Sequence, residues 1–146
     1  MGLDMYIVGK KYVSKYSDEK LHTELSELTK GIGINFEPRE ITFECAYWRK
    51  SNQIHKWFVD NVQNGVDNCE EYYVSTDVIA ALVDTCKQVL NDRSLADKLL
   101  PTSSGFFFGS NEYDQFYYGD LEHTIKMLEP LISMGGELSF HYESSW

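Results

Sequence analysis

At 146 residues, 42% of them apolar and 14% aromatic, the chain has the size of one domain and enough apolar material to build a core without staples, which excludes a disordered polymer. A net charge of −10 excludes the basic footprint of a direct nucleic-acid binder. No apolar run approaches the roughly 18 residues of a transmembrane helix, so no membrane is expected as a partner.

The charge is unevenly distributed. Residues 1–66 carry nine Lys/Arg and nine Asp/Glu, whereas residues 67–146 carry four against fourteen. The whole acidic excess lies in the C-terminal half, a field that favours basic partners, although acidic surfaces also serve solubility. Asp4 stands where a secretory leader needs positive charge, and Tyr6 stands where a myristoylation motif needs Ser or Thr. Cys45, Cys69 and Cys86 show neither CxxC nor metal spacing and read as free thiols of a reducing compartment.

In chain order, Leu3 to Val13 reads as a strand rich in Tyr, Ile and Val. Ser17 is the expected cap of a helix with Leu21, Leu25 and Leu28 on one face, closed by Lys30 and Gly31. After a loop over residues 33–40, Ile41, Phe43, Cys45 and Tyr47 alternate as the apolar phase of a second strand. Helical spacing then takes over at Trp48 and continues through Ile54, Phe58 and Val62, with Asn64-Gly65 as the stop. Residues 71–74 read as a short strand. Ser75 caps the most regular helix, with Val78, Ile79, Leu82, Val83, Cys86, Val89 and Leu90 inward. Cys45 and Cys86 are therefore expected to be buried, and Cys69 is left open.

A turn or two of helix over Leu95–Leu100 is ended by Pro101. A last helix starts at Asp114 or Asp120 and is kinked or ended by Pro130. Leu138, Phe140 and Tyr142 alternate in a final strand. The order β-α-β-α-β-α-α-β predicts an α+β fold, a single small sheet of about four strands with three to four helices packed on it. Residues 1–146 read as a single globular domain.

Several segments form a set: Met1-Gly-Leu-Asp-Met-Tyr6, Ala46-Tyr-Trp-Arg-Lys50 with Ile54-His-Lys-Trp-Phe58, Leu99-Leu-Pro-Thr-Ser-Ser-Gly-Phe-Phe-Phe-Gly109 with Glu112-Tyr113, and Ser144-Ser-Trp146. As a set the chain resembles a family of small proteins encoded in bacteriophage and prophage genomes. The resemblance implies a phage origin and the cytoplasm of an infected bacterial host. It supplies no activity, cofactor or catalytic residue.

Two constellations could carry chemistry. In the first, a helix from Trp48 places Arg49 and Lys50 in its first turn, beside free backbone N–H groups, with Asn52 and His55 three apart; cations and amides together suit a phosphate or carboxylate. The plainer reading pairs Arg49 with Glu44 and puts Trp48 and Trp57 in the core. In the second, Thr102, Ser103 and Ser104 precede Gly105, Phe106, Phe107, Phe108 and Gly109. Hydroxyls and exposed amides can cradle an anion, and the rings can wall a flat ligand, with Tyr113 enlarging the aromatic surface. A buried strand crossing the core is the alternative. The chain lacks the P-loop ending, zinc-protease and nucleophile-elbow motifs. The Glu112/Asp114 and Asp120/Glu122 spacings make no acid/base dyad.

The expected role is that of a phage-type accessory protein acting by binding, interfering with a host process such as antiviral defence. Its acidic C-terminal half would dock on a basic host protein. A second reading has Arg49, Lys50, His55, Thr102, Ser103, Ser104, Phe106 and Tyr113 enclosing a small anionic, nucleotide-like ligand, and a third is an enzyme acting on that ligand. No catalytic residue, metal or cofactor is assigned.

Overall fold

A computed structural model describes residues 2–146; Met1, the first residue of the Met1–Tyr6 motif, lies outside the described residues. Strand β1 (Asp4–Tyr12) leads through α1 (Glu19–Lys30) to β2 (Glu40–Arg49), α2 (Asn52–Asn61), β3 (Tyr72–Val74) and α3 (Thr76–Asn91). A 3-10 turn (Arg93–Leu95) runs into the short α4 (Ala96–Leu99). Helix α5 (Gln115–Leu128) follows, then a 3-10 segment (Glu129–Met134) and β4 (Ser139–Ser145). The four strands form one antiparallel sheet in the order β2-β1-β4-β3. The first and last strands are thus the central pair. The fold is α+β, as the element order predicts.

One face of the sheet presents Met5, Ile7, Trp48, Phe140 and Tyr142 to a core completed by Ile54 and Phe58 of α2, Ile79, Leu82 and Cys86 of α3, and Leu121 and Leu128 of α5. The rings of Phe58 and Tyr142 stack 4.0 Å apart, and Trp48 meets Phe58 edge-on at 6.1 Å. Burying such side chains supplies most of the folding drive, at about 25 cal/mol per Å². No helix among the described residues is long and apolar enough to cross a membrane.

Four local expectations are corrected. The helix expected from Trp48 begins only at Asn52, because the strand continues to Arg49 and a turn intervenes. Within β2 the inward phase changes: Ile7 faces Ala46 but Val8 faces Glu44, so Cys45 is an extra residue, a β-bulge. Beyond the bulge Ala46 and Trp48 point into the core and Tyr47 outward, against the alternation read from residues 41–47. Gly9 makes room for the bulge, since a Cβ there would stand 2.8 Å from the Cys45 sulfur. Asp18, not Ser17, caps α1, its carboxylate accepting from Leu21 N at 3.1 Å; Gly31 stays right-handed (φ −60°), and the reversal occurs at Gly33 (φ +85°). Asp114 starts α5.

The thiols divide three ways. Cys86 is buried as expected, Cys45 only partly, against expectation, and Cys69 is exposed. Burial pushes the Cys86 thiol up to about 12 and raises that of Cys45. Thiolates are the reacting species. A maleimide followed by mass spectrometry should therefore modify native protein first at Cys69, slowly at Cys45, and at Cys86 only on unfolding.

Candidate functional site

The link between β2 and α2 builds one wall of a cleft. Lys50 turns the chain with φ +58°, and its N–H donates to Leu3 O at 2.7 Å, extending the sheet pairing by one bond. Arg49 and Lys50 are left at the rim of a cleft of about 290 Å³, shared with Gln53 of α2. The opposite wall is Gly109, Ser110 and Glu112 of the long loop together with Asp114, Phe116, Tyr117 and Asp120 at the start of α5. Gly109 is required where the walls meet. Its φ is +93°, and a Cβ would lie 3.1 Å from both the Lys50 backbone oxygen and the Lys50 Cβ.

Asn52 holds the loop in place. Its Nδ2 donates to Phe108 O at 3.1 Å and to Ser110 O at 2.9 Å, and its Oδ1 accepts from Ser103 N at 2.9 Å. A buried amide making three such bonds is costly to replace, about 1–3 kcal/mol when its partners are left unpaired. Asn52→Ala should therefore loosen residues 102–110, read as faster proteolysis within the loop at unchanged far-UV circular dichroism.

The loop meets Arg49 and Lys50 at its Gly109–Ser110 end, not through its hydroxyls. Thr102 Oγ1 donates to Asn111 O at 3.2 Å, and Ser104 Oγ accepts from Asn111 Nδ2 at 3.0 Å. The Tyr113 hydroxyl accepts from Thr102 N at 3.3 Å. Thr102, Ser103, Ser104 and Tyr113 thus stitch the loop and do not line the cleft. The phenylalanines split: Phe106 and Phe107 are exposed, and Phe108 is buried edge-on to His55, with ring centres 5.3 Å apart. The two rings at the cleft are Phe116 and Tyr117.

His55 is not at the cleft. It is buried on the core side of α2, with Nε2 3.0 Å from the Asp67 carboxylate and Nδ1 2.7 Å from the Tyr142 hydroxyl. The carboxylate can only accept, so Nε2 carries the proton and Nδ1 accepts from the phenol. Burial pushes the imidazole below its usual range, and the Asp67 charge only partly opposes this.

The cleft is electrically mixed. Among the described residues neither Arg49 nor Lys50 has a carboxylate within ion-pair distance. Across from them, Asp114 accepts from Phe116 N at 3.0 Å and Tyr117 N at 3.1 Å, capping α5. Asp120 accepts from Gln53 Nε2 at 3.3 Å. Burial raises the Asp120 carboxyl above its ordinary range, and the hydrogen bond from Gln53 and the nearby Ser51 hydroxyl only partly offset this. A carboxyl raised by folding weakens the fold as pH climbs past its unfolded value and it must ionise. Asp120→Asn keeps an oxygen for Gln53 and removes the buried charge. Its melting temperature at pH 7 should exceed the wild type's, and the difference should vanish on acidification.

Gln53, Glu112, Asp114 and Asp120 were not singled out as ligand contacts by sequence reasoning. The available signal was Asp114, whose position before an aromatic-rich helix marks a cap and so the helix end that faces Lys50. No group of three or more His, Cys, Asp or Glu suited to a metal occurs among the described residues. Comparison with protein-family models, curated proteins and solved structures finds no match to this chain.

Proposed function

We propose that the chain acts by binding, its helical layer docking through carboxylates on a basic host protein in the cytoplasm of an infected bacterium. The observation that carries this reading is the acidic wall of the cleft. Across from Arg49 and Lys50, that wall holds three carboxylates, one of them retained in spite of burial, beside the exposed Phe116 ring. Carboxylates and an aromatic face are what a Lys or Arg side chain is bound by. A carboxylate kept against the cost of burial is a candidate for function rather than stability.

The wider surface supports the same reading. On α3, α4 and α5, Asp77, Asp84, Asp97 and Glu122 have no ion-pair partner among the described residues. Two of the few cations nearby are engaged: Lys87 pairs with Glu129, and Arg93 lies 4.1 Å over the Tyr118 ring. On the sheet side, by contrast, Lys10 and Lys11 pair with Glu71 and Glu137. The resemblance to phage proteins makes the partner a host factor, and interference with antiviral defence is the role proposed.

The test is capture of host proteins by the tagged chain and by an Asp84→Lys/Asp97→Lys/Glu122→Lys variant. None of these three side chains caps a helix. The expected result is a basic protein retained by the wild type. It should be lost by the variant and in about 1 M salt, where screening reaches about 3 Å. Equal retention by both chains defeats the reading.

A second reading, a small anionic ligand at the cleft, is favoured by the absence of an ion pair to Arg49 and Lys50 among the described residues. It predicts that calorimetric titration with a nucleoside triphosphate gives saturable heat. Arg49→Ala should abolish that heat, a loss of about 1.5–3 kcal/mol, without lowering the melting temperature.

A further inference from the structure

Residues 13–39 leave the sheet as an arm. Helix α1 makes no extensive packing contact with the other helices or strands, and none of its residues is buried. Leu21 and Leu25 are half-covered; the arm is fastened by a 2.7 Å contact between His22 Nε2 and the Glu37 carboxylate. Towards its tip the apolar side chains are open: Leu28 is 69% exposed, Ile32 73%, Ile34 45% and Phe36 83%. An amphipathic helix with an uncovered apolar stripe marks an interaction surface.

The same chain carries an apolar groove of about 440 Å³. Phe43, Cys45, Leu131, Met134 and Leu138 line it, and the Lys11–Glu137 ion pair (3.1 Å) sits at its rim. The groove lies at the root of the arm, since Lys11 and Phe43 stand on β1 and β2 where the arm departs and returns.

We propose that this face is a homodimer interface, in which the arms of two copies lie antiparallel about a two-fold axis and the Leu28–Phe36 tip of each enters the partner's Phe43–Leu138 groove. Three arguments select a second copy as the occupant. The first is geometric. Two antiparallel arms put each tip at the other's root, where the groove is, and the contact is self-complementary and closes. The second is electrostatic. The arm holds Lys15, Lys20, Lys30 and Arg39 against Asp18, Glu19, Glu24, Glu27 and Glu37, so it is nearly neutral while the acidic excess lies elsewhere. Antiparallel packing also sets the acidic first turn of α1 (Glu19) against the basic last turn (Lys30) of its partner. A basic partner would instead be drawn to the helical layer. The third is area. Four large side chains of roughly 200 Å² each, about two-thirds exposed, offer roughly 500 Å² per arm. An arm and a groove from each copy approach the about 800 Å² per partner of a stable interface.

Sedimentation velocity over the micromolar range tests the proposal. The wild type is expected to sediment as a dimer. Leu28→Asp/Phe36→Asp on the arm, and separately Met134→Asp in the groove, are expected to give monomers. These positions are exposed, and an unchanged melting transition shows that each variant folds. Mixing the two variants restores one intact arm–groove pair and should return a weakened dimer. A monomeric wild type overturns the proposal, as does an arm variant that remains dimeric or a mixture that shows no association.

Discussion

Truncating Trp48 to alanine is expected to destabilise the protein by about 3–5 kcal/mol, a large share of the roughly 5–15 kcal/mol that holds a domain of this size. The side chain is almost wholly buried, 2% exposed, where β2, α2 and α5 meet. It contributes area, its edge-on contact with Phe58, and a hydrogen bond from Nε1 to Thr124 Oγ1 at 2.8 Å. Thr124 is itself buried and donates to Asp120 O at 2.7 Å, so the indole ties the edge strand to the helix that carries the cleft's acidic wall. Trp48→Phe separates the contributions. It keeps most of the ring and leaves Thr124 with an unanswered acceptor, which should cost about 1–3 kcal/mol. Urea unfolding read by circular dichroism measures both. A Trp48→Ala loss below about 1 kcal/mol would mean that the wall does not depend on this residue.

Trp48 also shows where sequence reasoning ended. An aromatic followed by Ile54, Phe58 and Val62 fits helical spacing, and the spacing is real from Ile54 onward. What interrupts it is a turn carried by Lys50 at positive φ, a conformation for which lysine gives no signal. The bulge at Cys45 is equally silent. It depends on Gly9 of another strand and on a pairing register that no local window contains. The opposite case is α3, where the Ser75 hydroxyl accepts from Val78 N at 3.2 Å and one apolar stripe faces the core. Capping and periodicity are both local, so both were legible. The strand order was not, because pairing between chain ends is set by contacts no local pattern contains.

The cleft was half legible for the same reason. Arg49 and Lys50 were singled out as a helix N-terminus and reach the cleft as a strand end. The loop was expected to bring its hydroxyls; it brings its glycine end, because Asn52 fastens Ser103, Phe108 and Ser110 in one stroke. Which side of a loop faces a cleft is decided by such distant bonds. Glu112, Asp114 and Asp120, members of two carboxylate pairs whose spacing makes no acid/base dyad, converge by tertiary packing and turn an anion-friendly rim into a mixed one.

The other large effect is expected on pH, and it tests the buried chain from Asp67 through His55 to Tyr142. In the fold His55 is neutral, accepting from the Tyr142 phenol and donating to Asp67. Burial, the larger influence, lowers its affinity for a second proton, and Asp67 restores only part. The unfolded chain therefore binds that proton more readily, at the ordinary imidazole value of about 6.5. Stability is complete above this pH and is lost as pH falls from 6.5 towards the depressed folded value. Asp120 acts with the opposite sign, since its raised carboxyl is relieved by acid, so the two must be separated. His55→Gln does so. At pH 7 it should cost about 1–3 kcal/mol by leaving the phenol short of its acceptor, and it should abolish the His55 share of the slope below pH 6.5. Protonation at Nδ1 also forces the Tyr142 hydroxyl to turn its hydrogen away. The nearby Ser144 hydroxyl, buried and without a hydrogen bond in the fold, is the acceptor that a small rotation would bring into reach. Ser144→Ala removes that refuge, and its stability should fall more steeply with acid than the wild type's. Urea unfolding at a series of pH values reads all three chains, and parallel curves for wild type and His55→Gln would remove His55 as the source of the slope.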